Sequence, residues 1–169
     1  MTTFFFSSMN AQESIYDIKI KDIDGDYIDF DSFIGKKLLF VNVASKCGFT
    51  SQYTGLEQLQ QSYKDVLIVI GVPCNQFGGQ EPGNTEQIKS FCKKEYNISF
   101  LLTEKVEVKG KYAHPLYKWL TDKSKNGKSG SSVKWNFQKY LVDEKGNLLD
   151  YFLSTTPPLS PKIIRLIEQ

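Results

Sequence analysis

Two apolar segments, residues 38–44 and 66–72, constrain the fold of this chain more than any other feature of its sequence. The first is almost continuously apolar, which is typical of a strand buried on both faces of a sheet. Between the two, Leu56, Leu59 and Tyr63 recur at the spacing of an amphipathic helix. A helix that crosses over between two strands makes them parallel, so we expect the two segments to belong to one sheet.

The flanking segments extend this unit into a larger domain. Alternating apolar residues around Asp24-Gly25 predict an N-terminal β-hairpin over residues 15–30, and residues 140–153 predict a second hairpin. The other expected elements are, in chain order, a helix capped by Thr85, a helix over residues 114–120, a surface loop over residues 123–132 and a helix over residues 158–169. We therefore predict one α/β domain over residues 14–169, with a central mixed sheet flanked by helices.

Residues 1–13 are expected to lie outside this domain. They contain three phenylalanines at positions 4–6 and no charge before Glu13, so they lack the basic start and the long apolar stretch of a secretory signal. We interpret them as the tail of a cytoplasmic protein. The alternative is the remnant of a signal peptide, in which case the protein would be periplasmic or exported. No segment approaches the roughly 18 apolar residues of a membrane span, which excludes an integral membrane protein.

Charge and cysteine content limit the classes of partner. The 21 Lys and Arg residues and 19 Asp and Glu residues give a net charge of +2, so neither nucleic acid nor a membrane is an expected partner. Three cysteines cannot form a complete disulfide framework, and at least one thiol is therefore free or only transiently bonded. The cysteines and His114 are widely dispersed, without the paired spacing of zinc ligands, so no metal or other cofactor is predicted.

Cys47 follows the first apolar segment directly and precedes the crossover helix. Sites in α/β sheets gather at the carboxyl ends of strands, where a helix N-terminus offers backbone N–H groups and a positive dipole end. This setting, with Lys46 as a neighbour, favours a reactive thiolate. The alternative is a buried, inert cysteine, because cysteine is among the most buried residue types.

Two further loops carry neutral hydrogen-bond donors. Residues 71–83 follow the second parallel strand and contain Gln80 among several amides and glycines, and residues 134–137 contain Trp135 and Asn136. Amide and indole N–H groups at the same sheet edge could stabilise an anion developing on sulfur or oxygen. The alternatives are that Trp135 belongs to the core and that Asn136 is a turn residue.

Three segments carry a resemblance to a known family. Asn-Val-Ala-Ser-Lys-Cys-Gly-Phe-Thr, Pro-Cys-Asn-Gln-Phe-Gly-Gly-Gln-Glu-Pro-Gly and Lys-Trp-Asn-Phe, in that order, resemble motifs of the glutathione peroxidase family, specifically its cysteine-containing, non-selenium branch. The similarity runs from about Ile15 to the C-terminus. It implies a thioredoxin-like fold and a catalytic tetrad, in which Cys47 is the nucleophile and Gln80, Trp135 and Asn136 supply the surrounding donors.

The segment around Cys92 resembles the resolving-cysteine helix of the thioredoxin-dependent members. The resemblance implies that Cys47 attacks a peroxide and becomes a sulfenic acid, which Cys92 converts to an intramolecular disulfide. If the two Cα atoms start more than about 7 Å apart, the Cys92 helix must unwind locally in each cycle. Cys92 as a structural helix residue is the alternative, and Cys74 is interpreted as structural.

These inferences together predict an antioxidant thiol peroxidase that reduces hydrogen peroxide and organic hydroperoxides and is regenerated by thioredoxin. Glutathione is a less favoured reductant, because Arg165 is the only arginine available for its carboxylates. A peroxide sensor that passes its disulfide to a client protein is a second alternative, and a hydrolase would require His114 next to Cys47. The short 123–132 segment resembles that of the monomeric branch.

Overall fold

The structure, a computed structural model, describes residues 13–169. The predictions for the N-terminal tail therefore lie outside the described residues, with the exception of Glu13. The carbonyl oxygen of Glu13 accepts a hydrogen bond from Trp119 Nε1 at 2.7 Å, and its carboxylate lies 2.9 Å from Lys125 Nζ. These contacts attach the start of the described chain to the domain.

A five-stranded mixed sheet forms the centre of the molecule, in the order β3-β2-β1-β4-β5. The strands are β1 Lys37–Val43, β2 Leu67–Pro73, β3 Leu101–Leu102, β4 Lys139–Val142 and β5 Leu148–Phe152. The first three are mutually parallel, and β4 and β5 form an antiparallel hairpin that joins β1 on its other side. The predicted crossover and the predicted late hairpin are both confirmed.

Five α-helices accompany the sheet within residues 13–169: α1 Gln52–Ser62, α2 Thr85–Tyr96, α3 Pro115–Thr121, α4 Lys123–Asn126 and α5 Pro161–Glu168. The crossover helix is α1, which connects β1 to β2 as its apolar spacing predicts. In this part of the chain, no helix is both long enough and apolar enough to cross a membrane.

The register of β1 and β2 determines which loops become neighbours. Lys37 is opposite Leu67 and Val43 is opposite Pro73, so the two strands start and end at the same levels. The backbone N–H of Cys74 extends the pairing by donating to the carbonyl of Val43 at 3.1 Å. The loops that follow β1 and β2 therefore leave the sheet side by side.

The sheet separates two apolar layers. Leu38 and Phe40 of β1 belong to one layer, and the alternate residues Leu39 and Val41 belong to the other, as the two-residue period of a strand requires. Cys74 lies in the first layer, whereas Cys47 and Cys92 both lie in the second. The fold thus places the two cysteines of the predicted disulfide on one face of the sheet and Cys74 on the other.

The predicted N-terminal hairpin is reduced to a turn with a single antiparallel bridge between Lys21 and Tyr27. The flanking segments form short 3-10 helices instead, Ile15–Asp17 and Phe30–Phe33. The Asp22 carboxylate accepts hydrogen bonds from two backbone N–H groups of the turn, at 2.9 and 3.0 Å. Hydrogen bonds from side chains to the backbone compete with the hydrogen bonds of a strand ladder. The apolar residues of this segment therefore alternate in sequence without forming extended strands.

Two other boundaries differ from the sequence prediction. Asn84, not Thr85, is the N-cap of α2, because the Asn84 and Gln87 side chains accept hydrogen bonds from each other's backbone N–H groups at 3.0 Å. Part of the predicted loop over residues 123–132 is the short helix α4, whose N-terminus is capped by the Asp122 side chain.

Lys139 of β4 is fully buried beneath the start of α1. Its ammonium group donates to Gln52 Oε1 and to the carbonyl oxygen of Thr156, and burial lowers its pKa to about 7. An unfolded lysine titrates near pH 10.4, so between about pH 7 and pH 10 the unfolded chain binds more protons at this site than the folded chain does. The contribution of Lys139 to the free energy of unfolding therefore increases as the pH rises through this range.

We expect the difference in the free energy of unfolding between the wild type and Lys139→Met to increase from pH 7 to pH 9. The expected slope is about 1 kcal/mol per pH unit, because one proton is involved. Urea unfolding at three pH values measures it, and the titrations of tyrosines and cysteines cancel because both proteins contain them. A difference that is independent of pH would contradict this prediction.

Candidate active site

Cys47 lies in the loop between β1 and α1 and is buried, with 7% of its surface exposed. Its Sγ accepts a hydrogen bond from the backbone N–H of Phe49 at 3.4 Å. Because α1 begins only at Gln52, the nearest backbone donor belongs to the loop and not to the first turn of the helix. The sequence predicts a donor from the helix N-terminus, whereas the structure places the donating N–H in the loop before the helix.

Gln80 and Asn136 are brought together by a direct hydrogen bond. Asn136 Nδ2 donates to Gln80 Oε1 at 2.9 Å, and the backbone carbonyl of Gln80 accepts from the backbone N–H of Lys46 at 3.0 Å. Asn136 lies in a turn, as the alternative interpretation expects, but its side chain is fully buried and also contacts Gln80. Because its oxygen accepts from Asn136, the Gln80 amide is oriented with its NH₂ group available as a donor.

Trp135 is 39% exposed, so it is not a core residue. Its ring packs against Phe77, with the two ring centroids 5.7 Å apart. Asn42 of β1 holds the backbone on both sides of Asn136: its Nδ2 donates to the carbonyl of Trp135 at 3.0 Å, and its carbonyl accepts from the N–H of Phe137. The loop before β4 is thereby attached to the end of the central strand.

These contacts join all three loops that the sequence singles out. Lys46 links the Cys47 loop to Gln80, Gln80 links to Asn136, and the loop of Asn136 and Trp135 is attached to β1. The arrangement brings the loops that carry the amide and indole N–H groups to the loop that carries Cys47. Such a site can stabilise negative charge on sulfur or on a leaving oxygen.

Cys92 is buried in the middle of α2, on the same face of the sheet as Cys47. Burial raises the pKa of its thiol to about 11, the carboxylate of Glu81 adds to this, and the adjacent Tyr53 hydroxyl offsets part of the increase. The ring of Tyr53 contacts Phe91 and Tyr96 of α2, with centroids 6.2 and 5.2 Å away. A movement of Cys92 toward Cys47 would therefore have to open this aromatic packing.

Cys74 is also a free thiol, but it faces the opposite layer. Its sulfur accepts from the backbone N–H of Gln76 at 3.5 Å, and burial raises its pKa. The sheet separates it from the layer that contains Cys47. This position supports the interpretation of Cys74 as a structural residue.

His114 is the N-cap of α3, with Nδ1 accepting from the backbone N–H of Leu116 at 3.1 Å. The side chain therefore caps the helix, and burial lowers the pKa of the imidazole. Within residues 13–169, no group of three or more histidine, cysteine or acidic side chains lies close enough together to hold a metal ion.

Glu81 is the residue of this region that the sequence reasoning missed. Its side chain is only 1% exposed, and within residues 13–169 neither carboxylate oxygen makes a hydrogen bond of regular geometry. Burial raises its pKa, while Ser45 beside it and the charges of Lys105 and Lys46 offset part of the increase. The sequence shows an acid directly after Gln80 but gives no sign that it is buried, since glutamate is almost never fully buried without a partner.

Comparison with known proteins agrees with these motifs. The sequence model of the family described as "Glutathione peroxidase" matches residues 15–121. The chain is 46% identical over 156 residues to a probable phospholipid hydroperoxide glutathione peroxidase of Nicotiana sylvestris, which covers 91% of this chain and 92% of the relative. It is 45% identical over 148 residues to glutathione peroxidase-like peroxiredoxin 2 of Saccharomyces cerevisiae, covering 87% and 91% of the two chains.

Solved structures show the same architecture. The crystal structure of Trgpx in apo form superimposes with a TM-score of 0.70 at 37% sequence identity, covering 93% of this chain and 97% of that one. A thioredoxin-family thiol:disulfide interchange protein from Chlorobium tepidum TLS gives a TM-score of 0.66 at 14% identity, covering 94% and 97%. The second likeness concerns the fold alone and confirms the predicted thioredoxin-like fold.

Proposed function

Because the chain belongs to the glutathione peroxidase family, as its three motifs indicate, we propose that it is a thiol peroxidase whose nucleophile is Cys47. The observation that supports this assignment most directly is the hydrogen-bond network between the Cys47 loop, Gln80 and Asn136. It joins the Cys47 loop to the loops that carry the neutral donors, and two curated relatives of similar length are named as a peroxidase and a peroxiredoxin.

The first step forms a sulfenic acid on Cys47. The thiolate attacks the terminal oxygen of the hydroperoxide, the O–O bond breaks, and the leaving alkoxide takes up a proton to become an alcohol, or water when the substrate is hydrogen peroxide. The NH₂ group of Gln80 and the indole N–H of Trp135 are the donors that stabilise the developing charge, and Asn136 orients Gln80. Hydrogen peroxide and organic hydroperoxides are the proposed substrates.

The second step forms a disulfide between Cys47 and Cys92. The Cys92 sulfur attacks the sulfenic sulfur, and the hydroxyl group leaves as water. Both cysteines lie in the same apolar layer, which supports this pairing over one with Cys74. Because α2 carries Cys92 on its buried side, its local opening is part of the proposed cycle.

Gln80→Ala is expected to slow the oxidation of Cys47 by about 100-fold, because one donor to the developing charge is lost. Stopped-flow measurement of the first oxidation by hydrogen peroxide gives this rate. Gln58→Ala is a matched control, since Gln58 is an exposed glutamine of α1. Equal oxidation rates in the Gln80 variant and the wild type would be incompatible with the donor role.

Thioredoxin is the proposed reductant of the Cys47–Cys92 disulfide. The one arginine, Arg165, lies in α5 and lines a groove with Asp150 and Lys162, which does not include any residue of the candidate site. The site therefore lacks an arginine to bind the carboxylates of glutathione.

Turnover assays with NADPH distinguish the candidate reductants. Purified thioredoxin and its reductase should support continuous consumption of hydrogen peroxide, whereas glutathione and glutathione reductase should support much less. Faster turnover with glutathione than with thioredoxin would identify glutathione as the reductant instead. A single stoichiometric burst with both systems would instead favour the peroxide sensor, which hands its disulfide to a client protein.

We also propose that the chain acts as a monomer and resides in the cytoplasm. The short segment between α3 and β4 supports the first statement, since it forms only the helix α4 and a brief loop. Light scattering of the purified protein tests the oligomeric state, and cell fractionation tests the location.

A further inference from the structure

The backbone of Glu81 is held on both sides, so the direction of its side chain is fixed. Its N–H donates to Asn75 Oδ1 at 2.9 Å, and its carbonyl oxygen accepts from Lys105 Nζ at 3.1 Å. The side chain itself is buried, yet within residues 13–169 its two oxygens make no hydrogen bond of regular geometry. In this described part of the chain, Ser45 is the one hydrogen-bonding group beside the carboxylate, and burying a carboxylate with so little compensation is costly.

The surroundings of Glu81 place it between the Cys47 loop and α2, the helix that carries Cys92. A cavity of about 480 Å³ separates the Cys47 loop from α2, and Glu81 lines it together with Ser45 and Lys46 on one side and Gln87, Ile88 and Phe91 on the other. Disulfide formation has to bring α2 and the Cys47 loop together across this region. Ile88 lies one turn before Cys92 on the buried side of α2, so the carboxylate faces the side of the helix that carries Cys92.

The ionisable groups near Glu81 come from several elements. Cys92 of α2 and Tyr53 of α1 are close enough for the carboxylate to raise the pKa of both, and Lys46 and Lys105 are the cations that act on Glu81 itself. The pKa of the Cys92 thiol is about 11, so almost none of it is ionised near pH 7. A thiol must lose its proton to attack, and a base is needed for Cys92 to do so from this buried environment.

We propose that Glu81 is the general base for the resolving step and accepts the proton of the Cys92 thiol as Cys92 attacks the Cys47 sulfenic acid. This inference rests on the proposed two-cysteine cycle and adds a catalytic residue to it. The Cys92 S–H bond breaks and its proton moves to the Glu81 carboxylate, while the S–S bond forms and the S–O bond of Cys47 breaks. Glu81 then returns the proton to the departing hydroxide, and the products are the disulfide and one water molecule.

Single-turnover kinetics test the proposal with wild type, Glu81→Gln and Glu86→Gln. Glu86 is an exposed glutamate in the first turn of α2, so its variant makes the same chemical change without touching the buried site. After one equivalent of hydrogen peroxide, sulfenic acid and disulfide are trapped at intervals and quantified by mass. Glu81→Gln should form the disulfide about 100-fold more slowly than wild type near pH 7, with first-phase oxidation unchanged, and Glu86→Gln should match wild type in both phases.

The pH profile separates a base from a structural residue. In the wild type the rate of disulfide formation should rise as Glu81 ionises, above the usual range for glutamate because burial raises its pKa, and then level off. In Glu81→Gln the rate should continue to climb with pH toward the pKa of Cys92, about 11. Parallel profiles in the two proteins would overturn the proposal, as would equal rates of disulfide formation.

A second variant covers the case in which Glu81→Gln folds poorly. Glu81→Ala enlarges the cavity beside it, and added formate should restore a concentration-dependent part of the rate of disulfide formation. Absence of rescue in a folded Glu81→Ala protein would count against the base. The outcome is separable from the two-cysteine cycle: if wild type forms no Cys47–Cys92 disulfide, the cycle fails, whereas normal disulfide formation in Glu81→Gln rejects only the role of Glu81.

Discussion

Cys47→Ser is expected to lower the rate of hydrogen peroxide consumption by more than about 1000-fold, since removing the nucleophile of a covalent mechanism removes the reaction path itself. The serine hydroxyl is nearly isosteric with the thiol, but it stays protonated at neutral pH and cannot carry oxygen as a sulfenic acid. The loop should remain folded, because its contact through Lys46 to Gln80 uses backbone groups only. Peroxide consumption in the presence of thioredoxin, its reductase and NADPH measures the effect.

Cys74→Ser is the control for this experiment. Cys74 is buried, as Cys47 is, but it lies in the apolar layer on the other face of the sheet. Its variant should keep peroxidase activity within a factor of about two, although burying a hydroxyl costs on the order of 1 kcal/mol of stability. Substantial peroxide turnover by Cys47→Ser, or its loss in Cys74→Ser, would reverse the assignment of the nucleophile.

The sequence predicts the sheet well because its central strands are buried on both faces. Residues 38–44 and 66–72 contain very few polar residues, which indicates buried strands in a chain that alternates strands and helices. The register of these two strands brings the site loops together. The face of Cys74 is also readable, since it follows Ile70 and Val72 at two-residue spacing and shares their layer. The prediction of an N-terminal hairpin is wrong because the Asp22 carboxylate accepts hydrogen bonds from backbone N–H groups of the turn, which a strand ladder would otherwise use.

The candidate site is predictable to the extent that it depends on motifs that are local in sequence. Cys47, Gln80, Trp135 and Asn136 lie in three such segments, and the structure joins the segments by hydrogen bonds. The burial of Glu81 is not local: it results from how the loop after β2 packs against the Cys47 loop and α2. The loop sequence has no periodicity that would predict this packing, so the burial of Glu81 is evident only from the structure.

Cys92→Ser tests the resolving step and has the second large expected effect. The variant should consume one equivalent of hydrogen peroxide at the wild-type rate, because Cys47 and its donors are unchanged. Turnover with thioredoxin should then fall by more than about 100-fold, since an intramolecular thiol is replaced by an external one at low concentration. Stopped-flow oxidation and NADPH consumption measure the two quantities separately.

The two halves of this result discriminate between structural and chemical roles of Cys92. If Cys92 only filled the core of α2, the serine variant would lose stability, its first oxidation would slow, and thioredoxin turnover would follow in proportion. Loss of turnover with the first oxidation intact is possible only if Cys92 acts after the sulfenic acid has formed. Full thioredoxin-linked turnover in Cys92→Ser would exclude the Cys47–Cys92 disulfide, and Cys74 would then have to reach Cys47 from the opposite side of the sheet.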